Sequence, residues 1–160
     1  MKDVIIKRAI TELQKEGLRF SIDEVAKSLK ISKKTIYKYF PTKEDLAVAI
    51  YKSFYENAIS QIGLTETVHL DESVAKQMLT VYFQSHCMAR NEIFNKYSLN
   101  ESIRLLAQSN HKKIKFSIEK KLPQSDKDAL MIIIDGSLQK LCESEGSGEE
   151  VLNRLVTLLC

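Results

Sequence analysis

Only two prolines, at 41 and 123, and five glycines occur in 160 residues. That leaves little to interrupt helices or to build the tight turns of a hairpin-rich β protein. Long apolar runs are also missing. Ala129–Ile134, ahead of Asp135, has six apolar residues, far too few to span a bilayer, so no membrane association is expected. No N-terminal apolar run resembles a secretory leader. Cys87, Cys142 and Cys160 are odd in number and widely spaced. They argue against a disulfide framework and fit a reducing cytoplasm. There is no C-x-x-C, and His69, His86 and His111 have no metal-ligand spacing with the cysteines. Neither a metal nor a cofactor is expected. No Gly-rich phosphate loop, carboxylate pair or nucleophile–base spacing is found, which removes the usual grounds for an enzyme. His86 and Cys87 are adjacent and would point about 100° apart on a helix, which disfavours a Cys/His catalytic pair.

The hydrophobic content, 44%, is enough for a packed core. Charge is unevenly distributed. Residues 1–47 hold eleven Lys and Arg against seven Asp and Glu, a net +4, whereas residues 48–160 hold thirteen against fourteen, a net −1. The positive excess in the first third hints at an anionic partner there.

Helix signals recur along the chain. Ile6, Ala9, Ile10 and Leu13 form one stripe over residues 3–16, and Gly17 suits the position after a helix end. "SIDE" (21–24) is a capping box, with Phe20 and Val25 placed as a hydrophobic staple. Ser32 caps a third helix that stops at Pro41, and Thr42 caps a fourth running to about Ile62. Further helical segments are predicted over 71–90, 92–97, 99–122 (as one helix or two), 125–145 and 147–160, with "SLNE" (98–101) and "SGEE" (147–150) as additional boxes. The fold class expected is all-α.

Two short capped helices joined by "LKIS" (29–32) form a helix-turn-helix candidate, whose second helix suits a DNA major groove. Ile36 and Phe40, four apart, would face the core beside Leu29 and Ile31. Lys33, Lys34, Thr35, Tyr37, Lys38 and Tyr39 are then left at or near the surface, and no acid lies between Lys27 and Glu44. A solvated face usually mixes both signs, whereas a DNA-reading helix needs cations for phosphates and hydrogen-bonding tips for bases. Lys38 also fits a solvated face, and Tyr37 or Tyr39 also fits partial packing on the first helix.

"VAKSLKISKKTIYKYFPTKEDL" (25–46) resembles the signature of the TetR family of bacterial transcriptional regulators, with the close match over about residues 4–50. The resemblance implies an N-terminal three-helix, homeodomain-like domain over 1–47 and a helical effector-binding and dimerisation domain over 48–160. It also implies that Lys33, Lys34, Thr35, Tyr37 and Tyr39 occupy positions that meet DNA, with Tyr37 and Lys43 on phosphates. Thr35 is the favoured base reader, since its methyl and hydroxyl both suit a base edge. Two departures stand out. Lys30 occupies the turn position where glycine is usual, and a left-handed backbone costs a non-glycine residue about 1–2 kcal/mol. Lys34 replaces a frequent small residue.

For the C-terminal part, the resemblance implies a homodimer and often a small-molecule pocket. "ALMIIIDGSLQKLCE" (129–143) is apolar nearly all round, and "VLNRLVTLLC" (151–160) carries a stripe of leucine and valine. Met131, Ile132, Gly136, Leu152, Leu155, Val156 and Leu159 are therefore the dimer-interface candidates, with closing of the protomer's own core as the alternative. Tyr82, His86, Cys87, Asn91 and Tyr97 are the ligand candidates, because they set polar tips among apolar bulk, although ordinary core packing reads the same way. The expectation is a cytoplasmic TetR-like regulator, most simply a repressor on a palindromic operator. An effector would act through the fourth helix on the spacing of two DNA-binding heads. The rival is a helical interaction module whose basic helix binds an acidic protein.

Overall fold

The computed structural model describes residues 1–16, 21–64, 70–90, 100–143 and 148–160. Its regular elements there are eight helices and no strand: α1 Lys2–Glu16, α2 Ile22–Ser28, α3 Lys33–Tyr39, α4 Lys43–Leu64, α5 Glu72–Arg90, α6 Asn100–Glu119, α7 Lys127–Glu143 and α8 Glu149–Leu159. The protein is all-α. The segment expected over 99–122 forms one helix, α6, that ends at Glu119. The expected Gly17 helix end, the Phe20 staple, the helix over 92–97 and the cap residues Ser98 and Ser147 lie outside the described residues. α8 has Gly148 as its N-cap, with no side-chain cap bond.

Local chemistry accounts for the short N-terminal helices. Ser21 Oγ accepts from the Glu24 amide at 3.2 Å, and Glu24 Oε2 accepts from the Ser21 amide at 3.2 Å, a complete capping box. At the other end of α2, the Ile31 amide donates to the Ala26 carbonyl at 3.0 Å and the Lys30 amide to the Lys27 carbonyl at 3.1 Å. These paired bonds are a Schellman motif, which demands a left-handed residue after the cap. Lys30 supplies it, with φ 54°. Before α4, Thr42 and Asp45 repeat the reciprocal cap: the Thr42 amide donates to Asp45 Oδ2 at 2.9 Å and the Asp45 amide to Thr42 Oγ1 at 3.1 Å.

Two compact units emerge, Met1–Glu56 with Arg90–Ala107, and Asn57–Ala89 with Gln108–Cys160. α4 belongs to the first up to Glu56 and to the second from Asn57. In the first unit Ile5, Ala9, Val25, Ile36, Phe40, Ile50, Tyr51 and Tyr55 are buried. Burial, with Tyr55 beside it, holds the Tyr51 hydroxyl far above its ordinary pKa. Arg8 braces the head by donating from Nε to Ser28 Oγ at 2.8 Å while pairing with buried Glu12 at 2.6 Å. In the second unit Met78, Leu79, Tyr82, Ile114, Ile118, Ile134, Leu138, Leu155 and Val156 are buried. Cys87 is disulfide-bonded, although the odd number and wide spacing of the cysteines argue against a disulfide framework, while Cys160 is free and exposed. Among the described residues no helix is long and apolar enough to cross a membrane.

Candidate nucleic-acid interface

α3 is seven residues long, too short to persist unaided, and is held from both ends. Ser32 Oγ accepts from the Thr35 amide at 3.1 Å, and the Phe40 amide closes the last turn on the Ile36 carbonyl at 3.0 Å. Ile36 at 0% and Phe40 at 2% exposure anchor the apolar side, as their four-residue spacing predicts. Lys2 places its amine 5.4 Å from the Phe40 ring centroid.

The opposite side is polar and cationic. Lys33, Lys34 and Lys38 are exposed, and Tyr37 and Tyr39 are each 37% exposed, so both phenols reach solvent while much of each ring is covered. Thr35 is half-buried, and its hydroxyl lies 3.0 Å from Ser32 Oγ. Lys43 is exposed at the first position of α4, immediately after the Pro41 break and the Thr42 cap. Three nearby carboxylates are already engaged. Glu24 and Asp45 serve the two capping boxes, and Asp23 Oδ1 lies 2.5 Å from Lys33 Nζ. The Asp23 contact across the turn was not foreseen from sequence. An acid at the start of the first motif helix and a lysine at the start of the second is the pattern that would have suggested it.

Residues 5–50 match the family model for bacterial regulatory proteins of the tetR family. The N-terminal part of the chain is thus similar to the DNA-binding domain of that family. No curated protein and no solved structure matches it. The TetR-type domain is the unit in which the lysine- and tyrosine-bearing side of α3 is presented.

Outside the TetR-type domain, the ligand candidates are dispersed. Tyr82 is fully buried, and its hydroxyl donates to Asp135 Oδ1 at 2.7 Å. Its ring stacks on His111 at 5.0 Å, while the His86 ring meets His111 edge-on at 5.3 Å. Lys115 donates to the second Asp135 oxygen at 2.6 Å, and Ser85 Oγ lies 2.9 Å from His111 Nδ1. Burial, then the neighbouring His86, lower the His111 pKa to about 4, with Lys115 acting the same way and Asp135 opposing. Burial and the Asp135 bond raise the Tyr82 pKa far above its ordinary value. Cys87 is committed to its disulfide, and Asn91 and Tyr97 lie outside the described residues. A groove of about 440 Å³ lies instead along another face of α5, lined by Gln61, Gln77, Thr80, Val81 and Gln84 among others. Asp135, the acid that ends a six-residue apolar run, is the sequence signal for the network.

The dimer candidates also separate. Met131, Leu152, Leu155 and Val156 are buried within the protomer at 8% exposure or less, and Leu159 is half-buried. Ile132 is 73% exposed, and nothing lies within 4 Å of where a Gly136 Cβ would stand. Ile133, Val151 and Leu158 are exposed as well.

Proposed function

We propose that the protein is a homodimeric repressor that acts in the bacterial cytoplasm by binding, not catalysis. It reads an inverted-repeat operator through two copies of α3 and releases it when a small molecule binds the helical part of the chain. Residues 1–47 are the reading domain and residues 48–160 the effector and dimerisation domain. The observation that carries this is the cationic, phenol-bearing face of α3 in a TetR-type domain, with Lys33, Lys34 and Lys38 exposed beside Tyr37 and Tyr39. Lys34, Lys38, Tyr37 and Lys43 hold phosphates, while Thr35 and Tyr39 approach base edges.

Pairing of protomers is supported by apolar surface that one chain leaves uncovered. Ile132, Ile133 and open Gly136 on α7, with Val151 and Leu158 on α8, are the contacts a second copy would bury. An effector is supported by the α5 groove, whose size falls in the range of small-molecule sites and whose lining sets the polar tips of Gln77, Thr80 and Gln84 beside Val81. Selection of bound sequences from a random duplex pool, using the full chain, tests the proposal. Winners should share an inverted repeat. Sequence-indifferent binding that an acidic protein competes away would overturn it in favour of the interaction-module reading.

A further inference from the structure

We infer that Asp23 is a positioning residue that makes Lys33 a reader of sequence and not a clamp on phosphates. The inference rests on the DNA-reading role of α3. In helix-turn-helix proteins the N-terminal residues of the second helix meet base edges, and Lys33 is the first residue of α3. A free lysine there, a point charge on a flexible four-carbon stem, would be drawn to whichever phosphate is nearest. Lys33 is instead drawn across the turn. Its amine lies 2.5 Å from Asp23 Oδ1, in the first turn of α2.

The pair is not placed to hold the fold. Its side chains are 53% and 64% exposed, and ion pairs in that setting add little to stability. Nor is Asp23 needed as a cap, since Ser21 and Glu24 complete the α2 capping box between them. What the pair does is electrostatic. Asp23 cancels the charge of Lys33 as seen by a distant polyanion and adds repulsion toward any phosphate that approaches α2. The amine keeps hydrogens for an acceptor within short reach, such as the O6 and N7 of a guanine edge. Non-specific binding is thereby weakened, while binding that satisfies the amine at a base is preserved. Tyr37 and Lys34, on the same side of α3, stay outside this pairing and continue to supply backbone contacts.

The test uses the full chain with Asp23→Asn, Lys33→Ala, the double variant and Asp23→Glu, on the selected operator and on random duplex over a salt series. Asp23→Asn should tighten random-duplex binding several-fold, steepen its salt slope by about one and lower the operator-to-random ratio. Lys33→Ala should leave the slope unchanged and relax preference at one base pair per half-site. In the Lys33→Ala background, Asp23→Asn should no longer alter that preference, and Asp23→Glu should behave as the unmodified protein. The inference is overturned if Lys33→Ala flattens the slope by about one with base preference intact. It is also overturned if Asp23→Asn changes preference equally with and without Lys33. Absence of any sequence preference in the unmodified protein would remove the proposed function as well, a failure visible before any variant is made.

Discussion

Lys30 sits in left-handed backbone, with φ 54°, because the Schellman motif at the end of α2 requires it. A non-glycine residue there costs about 1–2 kcal/mol, while glycine gives up about 0.5–1 kcal/mol of unfolded-chain entropy on folding. Lys30→Gly should therefore stabilise the head by about 0.5–1 kcal/mol, read as a higher urea midpoint; a lower midpoint would show that the lysine side chain has a compensating contact. His111 makes a prediction of the opposite kind. Its pKa is about 4 in the folded chain against 6.5 for an ordinary histidine, so the unfolded chain binds the extra proton between those values. Stability should thus fall as pH drops from 6.5 toward 4, and be unaffected by this group above that window. Urea midpoints for the unmodified protein and His111→Gln should diverge above pH 6.5 by a constant and converge as the pH is lowered. Parallel curves would mean that His111 is not held neutral.

At the scale of elements, α3 depends on its cap. Removing the Ser32 hydroxyl should cost about 1 kcal/mol, and with seven residues the helix has few other internal bonds to offset it. Ser32→Ala should speed amide exchange in α3 more than in α5, and weaken binding to every duplex; uniform exchange rates would show that packing of Ile36 and Phe40 suffices. The caps at Ser21, Ser32 and Thr42 and the stop at Pro41 were legible because each is written within four residues and acts locally. The Asp23–Lys33 contact was not, since it depends on how the turn folds two helices together. The Asp135 network was less legible still: Tyr82, Lys115 and Asp135 come from α5, α6 and α7, and nothing in their separation along the chain marks them as neighbours.

For the whole molecule, the proposed pairing of protomers turns on which side of α7 faces inward. A helix that is apolar nearly all round does not announce this from its own sequence. Met131, Ile134 and Leu138 turned out to be buried, which leaves Ile132 and Ile133 outward. Ile132→Asp should therefore produce monomers in analytical ultracentrifugation while lowering the protomer's own unfolding free energy by no more than about 0.5 kcal/mol, the usual limit for a surface change. Dimers that persist would place the contact elsewhere. On the proposed dimer, operator affinity should drop steeply with the loss of the second head, far more than affinity for random duplex.

The carboxylate of Asp135 clasps α5 with one oxygen and α6 with the other. Neither neighbour can be parted from α7 at this level without disturbing the grip on both. A cargo molecule that wedges between any two of these helices would have to unfasten a shared buckle, and so would be felt by the third.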